Sequence, residues 1–183
     1  MSVASDGTLR LFVACDIPDE TRRAVEAWQH ATLEGRDGLR LNRALHVTLA
    51  FLGTVAAARV PELTEALSQV QVLPCDVAVA EPIFLPIKGP KRVVALQLID
   101  CDGELARLQA DVAAALAGSG LFEVRARPWR PHLTVARLRH HGQLFSLQNV
   151  NIPGFCVVRL VLYSSLLERV AAVHTPLAVF PAS

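Results

Sequence analysis

Apolar and less apolar positions alternate through Thr8–Cys15, the period of a strand, and Asp16-Ile17-Pro18-Asp19-Glu20 follows with the proline and acids that suit a first helical turn. The pattern predicts a strand and then a helix reaching about His30. Gly35–Gly38 reads as a loop, and Leu45–Leu52 as a second strand ended by Gly53. From Ala56 to Val70, the residues Val60, Leu63, Leu67 and Val70 line one face of a second helix. Val77–Leu85 and Arg92–Ile99 form a predicted hairpin around Pro86-Ile87-Lys88-Gly89-Pro90, whose prolines and glycine fit a turn and not a ladder. Asp102–Ala117 carries Leu105, Leu108, Val112 and Leu116 at helical spacing and is stopped by Gly118 and Gly120. Further strands are expected at His132–Leu138, Phe155–Tyr163 and Val170–Phe180.

Strands and helices interleave, yet the hairpin and the paired C-terminal strands point to antiparallel sheets with helices packed outside, an α+β fold and not a doubly wound one. Neither G-x-G-x-x-G nor G-x-x-x-x-G-K occurs, so the backbone cradle for a dinucleotide or nucleoside triphosphate is absent, and no cofactor is implied. The length, 183 residues, suits one domain or two half-sized lobes around one core, and 52% hydrophobic against 19% charged residues supplies that core. No apolar run is long enough to span a membrane, and Asp6 and Arg10 precede the first apolar stretch, unlike a signal peptide. Cys15, Cys75, Cys101 and Cys156 are widely spaced without a C-x-x-C pair, which favours incidental cysteines in a reducing compartment. A soluble, cytoplasmic monomer is expected.

The net charge of +1 argues against a protein built to coat nucleic acid. The basic residues are grouped, however: Arg125, Arg127, Arg130, Arg137, Arg139, His140 and His141 share one stretch, either a solvated rim or a phosphate-binding patch. His140 and His141 diverge as loop neighbours and lack an accompanying carboxylate cluster, so no metal site is read there. His30 and His174 have no partner in the sequence and read as structural or exposed.

One repeat changes the picture. Leu45-His46-Val47-Thr48-Leu49-Ala50-Phe51-Leu52 aligns with Pro131-His132-Leu133-Thr134-Val135-Ala136-Arg137-Leu138 at His, apolar, Thr, apolar, Ala and Leu. Two of six histidines heading such a pattern is a coincidence of roughly 0.2%. In a strand, His46 and Thr48 share one face and Val47 and Leu49 the other, as do His132 with Thr134 and Leu133 with Val135. Either histidine alone reads as an ordinary residue of a half-buried strand. Core packing gives no reason to repeat both His and Thr, so the pair points to chemistry: one imidazole takes a proton, the other delivers one, and the Thr hydroxyls and a nearby Arg donate to phosphate oxygens without a metal.

With its flanks, the sequence resembles the 2H phosphoesterase superfamily, and within it the RNA 2′,3′-cyclic phosphodiesterases, also called 2′-5′ RNA ligases. The likeness rests on Arg10-Leu11-Phe12-Val13-Ala14 with Pro18 after it, His46-Val47-Thr48-Leu49 running into Phe51-Leu52-Gly53, Arg130-Pro131-His132-Leu133-Thr134-Val135-Ala136-Arg137, and Leu162-Tyr163-Ser164-Ser165. The resemblance implies a bilobal, pseudo-two-fold fold spanning residues 1–183, with two antiparallel sheets around a cleft. It also implies hydrolysis of a terminal RNA 2′,3′-cyclic phosphate to a 2′-phosphomonoester, with limited reverse ligation. By that analogy His132 activates water, His46 protonates the leaving 3′-oxygen, Thr48 and Thr134 hold the phosphoryl oxygens, and Arg130 adds a cation. Phe51 is placed either to flank a terminal base or in the core, and Trp129 shares the ambiguity. The compact Leu166-Leu167-Glu168-Arg169-Val170 departs from the family's Gly-rich turn, which removes any expected ligand contact there. Two alternatives remain on sequence: a non-catalytic RNA-end binding module, and a phosphodiesterase acting on a small cyclic nucleotide.

Overall fold

Strand β1 (Thr8–Asp16) buries Leu11 to Cys15 on both of its faces, which requires cover on each side and a neighbour on each edge. The computed structural model, which describes residues 7–120, 128–139, 144–167 and 172–183, supplies both. After β1 come helix α1 (Asp19–Leu33), the short strand β2 (Leu39–Leu41) and β3 (His46–Ala56). A single 3-10 turn, Ala57–Arg59, opens α2 (Val60–Ser68); then follow β4 (Cys75–Leu85), β5 (Val93–Asp100), α3 (Glu104–Gly118), β6 (His132–Leu138), β7 (Phe155–Val157), β8 (Arg159–Leu167) and β9 (Ala172–Pro181). Arg125, Arg127, His140 and His141 of the basic stretch, and Glu168, Arg169 and Val170 of the last turn, lie outside the described residues.

The strands pair in the order β9-β8-β1-β3-β6-β5-β4-β7, with β2 also on β6, and every pairing is antiparallel. The order is symmetric about its centre. On one side β1-α1-β3, on the other β5-α3-β6, each run strand, helix, His-bearing strand, and each His strand takes the inner edge of its half. The two His strands meet in a single ladder pair, Val47 with Leu133, and β2 extends the join along β6. Helix packing crosses that join: α1 lies against β2 and β6, while α3 lies against β3, β4 and β5. Leu105, Leu108, Val112 and Leu116 of α3 are fully buried at the predicted spacing, each removing apolar surface worth about 1.5–3 kcal/mol. One apolar cluster therefore runs under both halves. No helix among the described residues is long and apolar enough to cross a membrane.

Three boundaries differ from the pattern. Gly53 does not end the second strand: its backbone takes φ 75°, and the ladder with β1 steps from Leu11–Gly53 to Phe12–Phe51, absorbing Leu52 as an extra residue. The strand thus continues to Ala56, and the following helix begins only at Val60. The run Phe155–Tyr163 is two strands, because Phe155–Val157 pairs with β4 at one end of the sheet, whereas β8 pairs with β1 and β9 in the other half. A continuous apolar run conceals such a change of partner. Leu39–Leu41, read as following a loop, adds a short strand to β6.

The unequal burial of two apolar residues on the inner strands predicts a sharp contrast in stability. Replacing the fully buried Leu133 by Ala is expected to cost about 2–5 kcal/mol in urea unfolding. Phe51→Ala, at a side chain 59% exposed, is expected to stay within about 0.5 kcal/mol. A large loss at Phe51 would return that residue to the core.

Candidate active site

The Val47–Leu133 pair organises the site. Both side chains are fully buried on the helix side. Continuing this antiparallel register by one residue each way sets His46 beside Thr134 and Thr48 beside His132, all four on the opposite face and all partly exposed. The two His-x-Thr elements are thus brought together where β3 and β6 make their one ladder pair.

Strict alternation would send Phe51 and Arg137 into the core with Val47 and Leu133. Both strands avoid this with a bulge at the same place. Thr48 pairs with Ala14 but Ala50 with Val13, leaving Leu49 over; Thr134 pairs with Ala95 but Ala136 with Val94, leaving Val135 over. The first seven residues of β3 and β6 consequently show the same sequence of buried and open positions. The bulge turns Phe51 and Arg137 outward at equivalent positions. Phe51 lies 6.0 Å from the Phe12 ring, which is itself 4.9 Å from the His46 ring, so Phe51 borders the His46 side of the cleft.

Each imidazole is held from the residue two positions earlier. His132 Nδ1 lies 2.8 Å from the Arg130 carbonyl, and His46 bonds to the Ala44 backbone. With Nδ1–H donated to that carbonyl, the neutral His132 ring carries its acceptor lone pair on Nε2. His46 packs between Phe12 and His174 of β9, whose ring is 5.4 Å away and nearly perpendicular. His174 Nδ1 is buried without a hydrogen-bond partner among the described residues. Burial chiefly, then the charges of His174, Arg137 and Arg22, push the His46 pKa down to about 4, against the raising effect of the Ala44 bond.

Cations dominate the surroundings. Arg137 faces Arg40 across the β2–β6 ladder, and burial followed by the Arg40 and Arg10 charges lowers its pKa, although a guanidinium stays charged. Asp16 sits opposite His46 on β1, but its carboxylate already accepts from the Tyr163 hydroxyl at 2.5 Å and pairs with Arg159 at 3.2 Å. Burial foremost, together with Asp16, raises the Tyr163 pKa and keeps its phenol a donor. Arginines and histidines, with the Asp16 carboxylate already engaged, make a site for an anion. Among the described residues no three His, Cys, Asp or Glu side chains converge as metal ligands.

Of the residues singled out in the sequence, His46, His132, Thr48, Thr134 and Phe51 come together here. Arg130 is exposed and reaches Gln97, the cross-strand neighbour of His132, at 3.4 Å, which puts it on the His132 rim. Trp129 is half-buried and donates its indole N–H to the Thr48 carbonyl at 3.1 Å. Sequence reasoning passed over Arg137 and His174 as site residues. Arg137 was discoverable, because it aligns with Phe51 in the repeat. His174 follows no motif, and only the β8–β9 pairing carries it to His46.

Fold and site together define a class: an antiparallel α+β protein with one continuous sheet, not two, in which each half contributes one His-x-Thr strand to a cationic face. The chain belongs to the 2′-5′ RNA ligase superfamily, whose family model matches residues 17–149. It is 33% identical over 133 residues to an RNA 2′,3′-cyclic phosphodiesterase of Archaeoglobus fulgidus, covering 72% of this chain and 73% of that one. A relative of the same name from Escherichia coli is 30% identical over 179 residues, covering 92% and 93% of the two chains. The crystal structure of E. coli LigT complexed with 3′-AMP superposes with a TM-score of 0.81 at 26% identity, over 96% of this chain and 99% of that one.

The depressed His46 pKa has a consequence for stability. Between the usual histidine value of about 6.5 and the folded value of about 4, the unfolded chain binds more protons than the native one. Stability therefore falls as pH drops through that window. Urea unfolding from pH 7 to pH 4 is expected to show this slope in the parent protein and a shallower one in His46→Asn; equal slopes would contradict the assignment.

Proposed function

We propose that this protein hydrolyses the terminal 2′,3′-cyclic phosphate of RNA to a 2′-phosphomonoester by acid–base catalysis between His46 and His132, with no metal ion. The observation that carries this reading is the Val47–Leu133 register, which sets the two His-x-Thr elements on one face of a cationic cleft. The relatives from A. fulgidus and E. coli bear the name of this activity, and the LigT complex holds a nucleoside monophosphate.

Water attacks the phosphorus while His132 Nε2 takes its proton; the bond from phosphorus to the 3′-oxygen breaks, and His46 protonates that oxygen. The Thr48 and Thr134 hydroxyls and Arg137 donate to the non-bridging oxygens, and Arg130 adds positive charge at the rim. The cyclic phosphate requires a 2′-hydroxyl, which restricts the substrate to RNA. The exposed Phe51 ring offers a stacking surface to the terminal base. With a 5′-hydroxyl in place of water as the nucleophile, the same steps form the bond from phosphorus to the 5′-oxygen, release the protonated 3′-oxygen and leave a 2′-5′ linkage.

A neutral His46 in the free protein must gain a proton to act as acid. The substrate's negative charge supplies the reason: an anion beside His46 offsets Arg137, Arg22 and His174 and raises the imidazole pKa. NMR titration is expected to show His46 protonating at clearly higher pH with a 2′-nucleoside monophosphate bound than without it. An unchanged midpoint would exchange the roles of the two histidines.

Product analysis on a cyclic-phosphate oligonucleotide tests the reaction itself. The 2′-monophosphate is expected at the same rate with and without chelator. His46→Ala and His132→Ala are each expected to lose about 10²–10⁴-fold in kcat/KM. Loss of turnover in chelator would reject the metal-free mechanism, and full activity in both variants would reject the histidine pair.

A further inference from the structure

Beyond the Val47–Leu133 pair, no further ladder pairing joins β3 to β6. Past this pair β3 has no ladder partner on that edge, and β6 regains one only at Ala136, where its ladder with β2 begins, so the peptide planes of the motif Thr and the bulge residue lie in a gap of the sheet where rotation would swing the Thr hydroxyl and the outward residue after the bulge. The structure holds these planes with side chains that come from the other half of the molecule. Asn42, in the segment leading into β3, donates Nδ2 to the Thr134 carbonyl of β6 at 2.7 Å. Trp129, in the segment leading into β6, donates to the Thr48 carbonyl of β3 at 3.1 Å. Gln29 of α1 donates to the Val135 carbonyl at 2.7 Å, and Gln109 of α3 to the Leu49 carbonyl at 3.4 Å. The acceptors are therefore the same two positions of each repeat: the motif Thr and the bulge residue after it.

The arrangement is reciprocal, and it is denser on β6. There the Asn42 backbone N–H also reaches Val135 O at 2.8 Å, and Gln29 Nε2 reaches Asn42 O at 2.8 Å. Gln29 is fully buried and its Oε1 has no partner among the described residues. A buried amide with an unpaired oxygen lowers stability, and an apolar side chain of equal size would pack there without that cost. Its two donated bonds, both to the backbone around the β6 motif, are what the position provides.

We infer that Asn42 and Gln29 on one side, and Trp129 and Gln109 on the other, are positioning residues through which each lobe fixes the His-x-Thr bulge of its partner lobe. Neither motif is set by its own lobe alone. The inference rests on the proposed function for its kinetic consequence, but the cross-lobe linkage is a property of the fold.

Trp129→Phe removes only the indole donor and keeps the ring in place. On a cyclic-phosphate oligonucleotide, Trp129→Phe and Asn42→Ala are each expected to lower kcat about 10- to 100-fold with KM little changed. Losses should couple across the lobes: Trp129→Phe with Thr48→Val, and Asn42→Ala with Thr134→Val, should fall well short of the product of the single effects, whereas the exchanged combinations should multiply. Backbone amide NMR reads the linkage without activity, with Trp129→Phe moving the resonances of Thr48 to Ala50 and Asn42→Ala those of Thr134 to Ala136. Full kcat in Trp129→Phe, or multiplication in every combination, overturns the positioning role. Amide shifts confined to each variant's own lobe overturn the linkage. A parent protein without turnover that still shows the cross-lobe shifts would reject the proposed function and leave the linkage standing.

Discussion

One backbone pairing, Val47 with Leu133, determines the geometry of the cleft. Because side chains alternate along a strand, burying these two residues against the helices forces His46, Thr48, His132 and Thr134 onto the opposite face. A slip of one residue on either strand would exchange the buried and open sets, and the cost of exposing Val47 or Leu133 excludes it. The same apolar burial that stabilises the fold therefore selects the register of the site. The bulges at Leu49 and Val135 then reset the alternation, so that Phe51 and Arg137 join the polar face.

The electrostatic character of the cleft follows from which groups the fold leaves unneutralised. Burial foremost, and then neighbouring charges that include Arg137, makes His46 and His174 lose their protons more readily, and Arg40 and Arg10 in turn crowd the Arg137 guanidinium. Asp16, the carboxylate nearest His46 in register, is occupied by Tyr163 and Arg159. An anion bound beside His46 would offset the surrounding positive charges and raise the population of its protonated form.

The two halves are interdependent. Helix α1 precedes one His strand but packs beneath the other, α3 does the converse, and the side chains that hold each bulge come from across the join. Pseudo-symmetry of this kind gives two similar half-sites without two independent lobes, and it ties the relative placement of the histidines to the integrity of the whole core.

The period-two and helical patterns determined most of the elements, because the apolar residues of α1, α3, β1, β5 and β6 face one common core. The repeated His-x-Thr pointed to an acid–base pair beside phosphate donors, since packing gives no reason for both residues to recur. The apolar run through Phe155–Tyr163 concealed a change of strand partner, and Gly53 was legible as a breaker but not as a bulge, because both depend on which strand lies alongside. Only the tertiary structure brought His174 to His46, turned Phe51 outward, drew Arg137 into the site and assigned Trp129 to the Thr48 carbonyl. Alternation along a strand is a local property that a sequence displays; bulges, edge partners and charge neighbourhoods are made by segments distant in the chain, and they exist only once those segments pair.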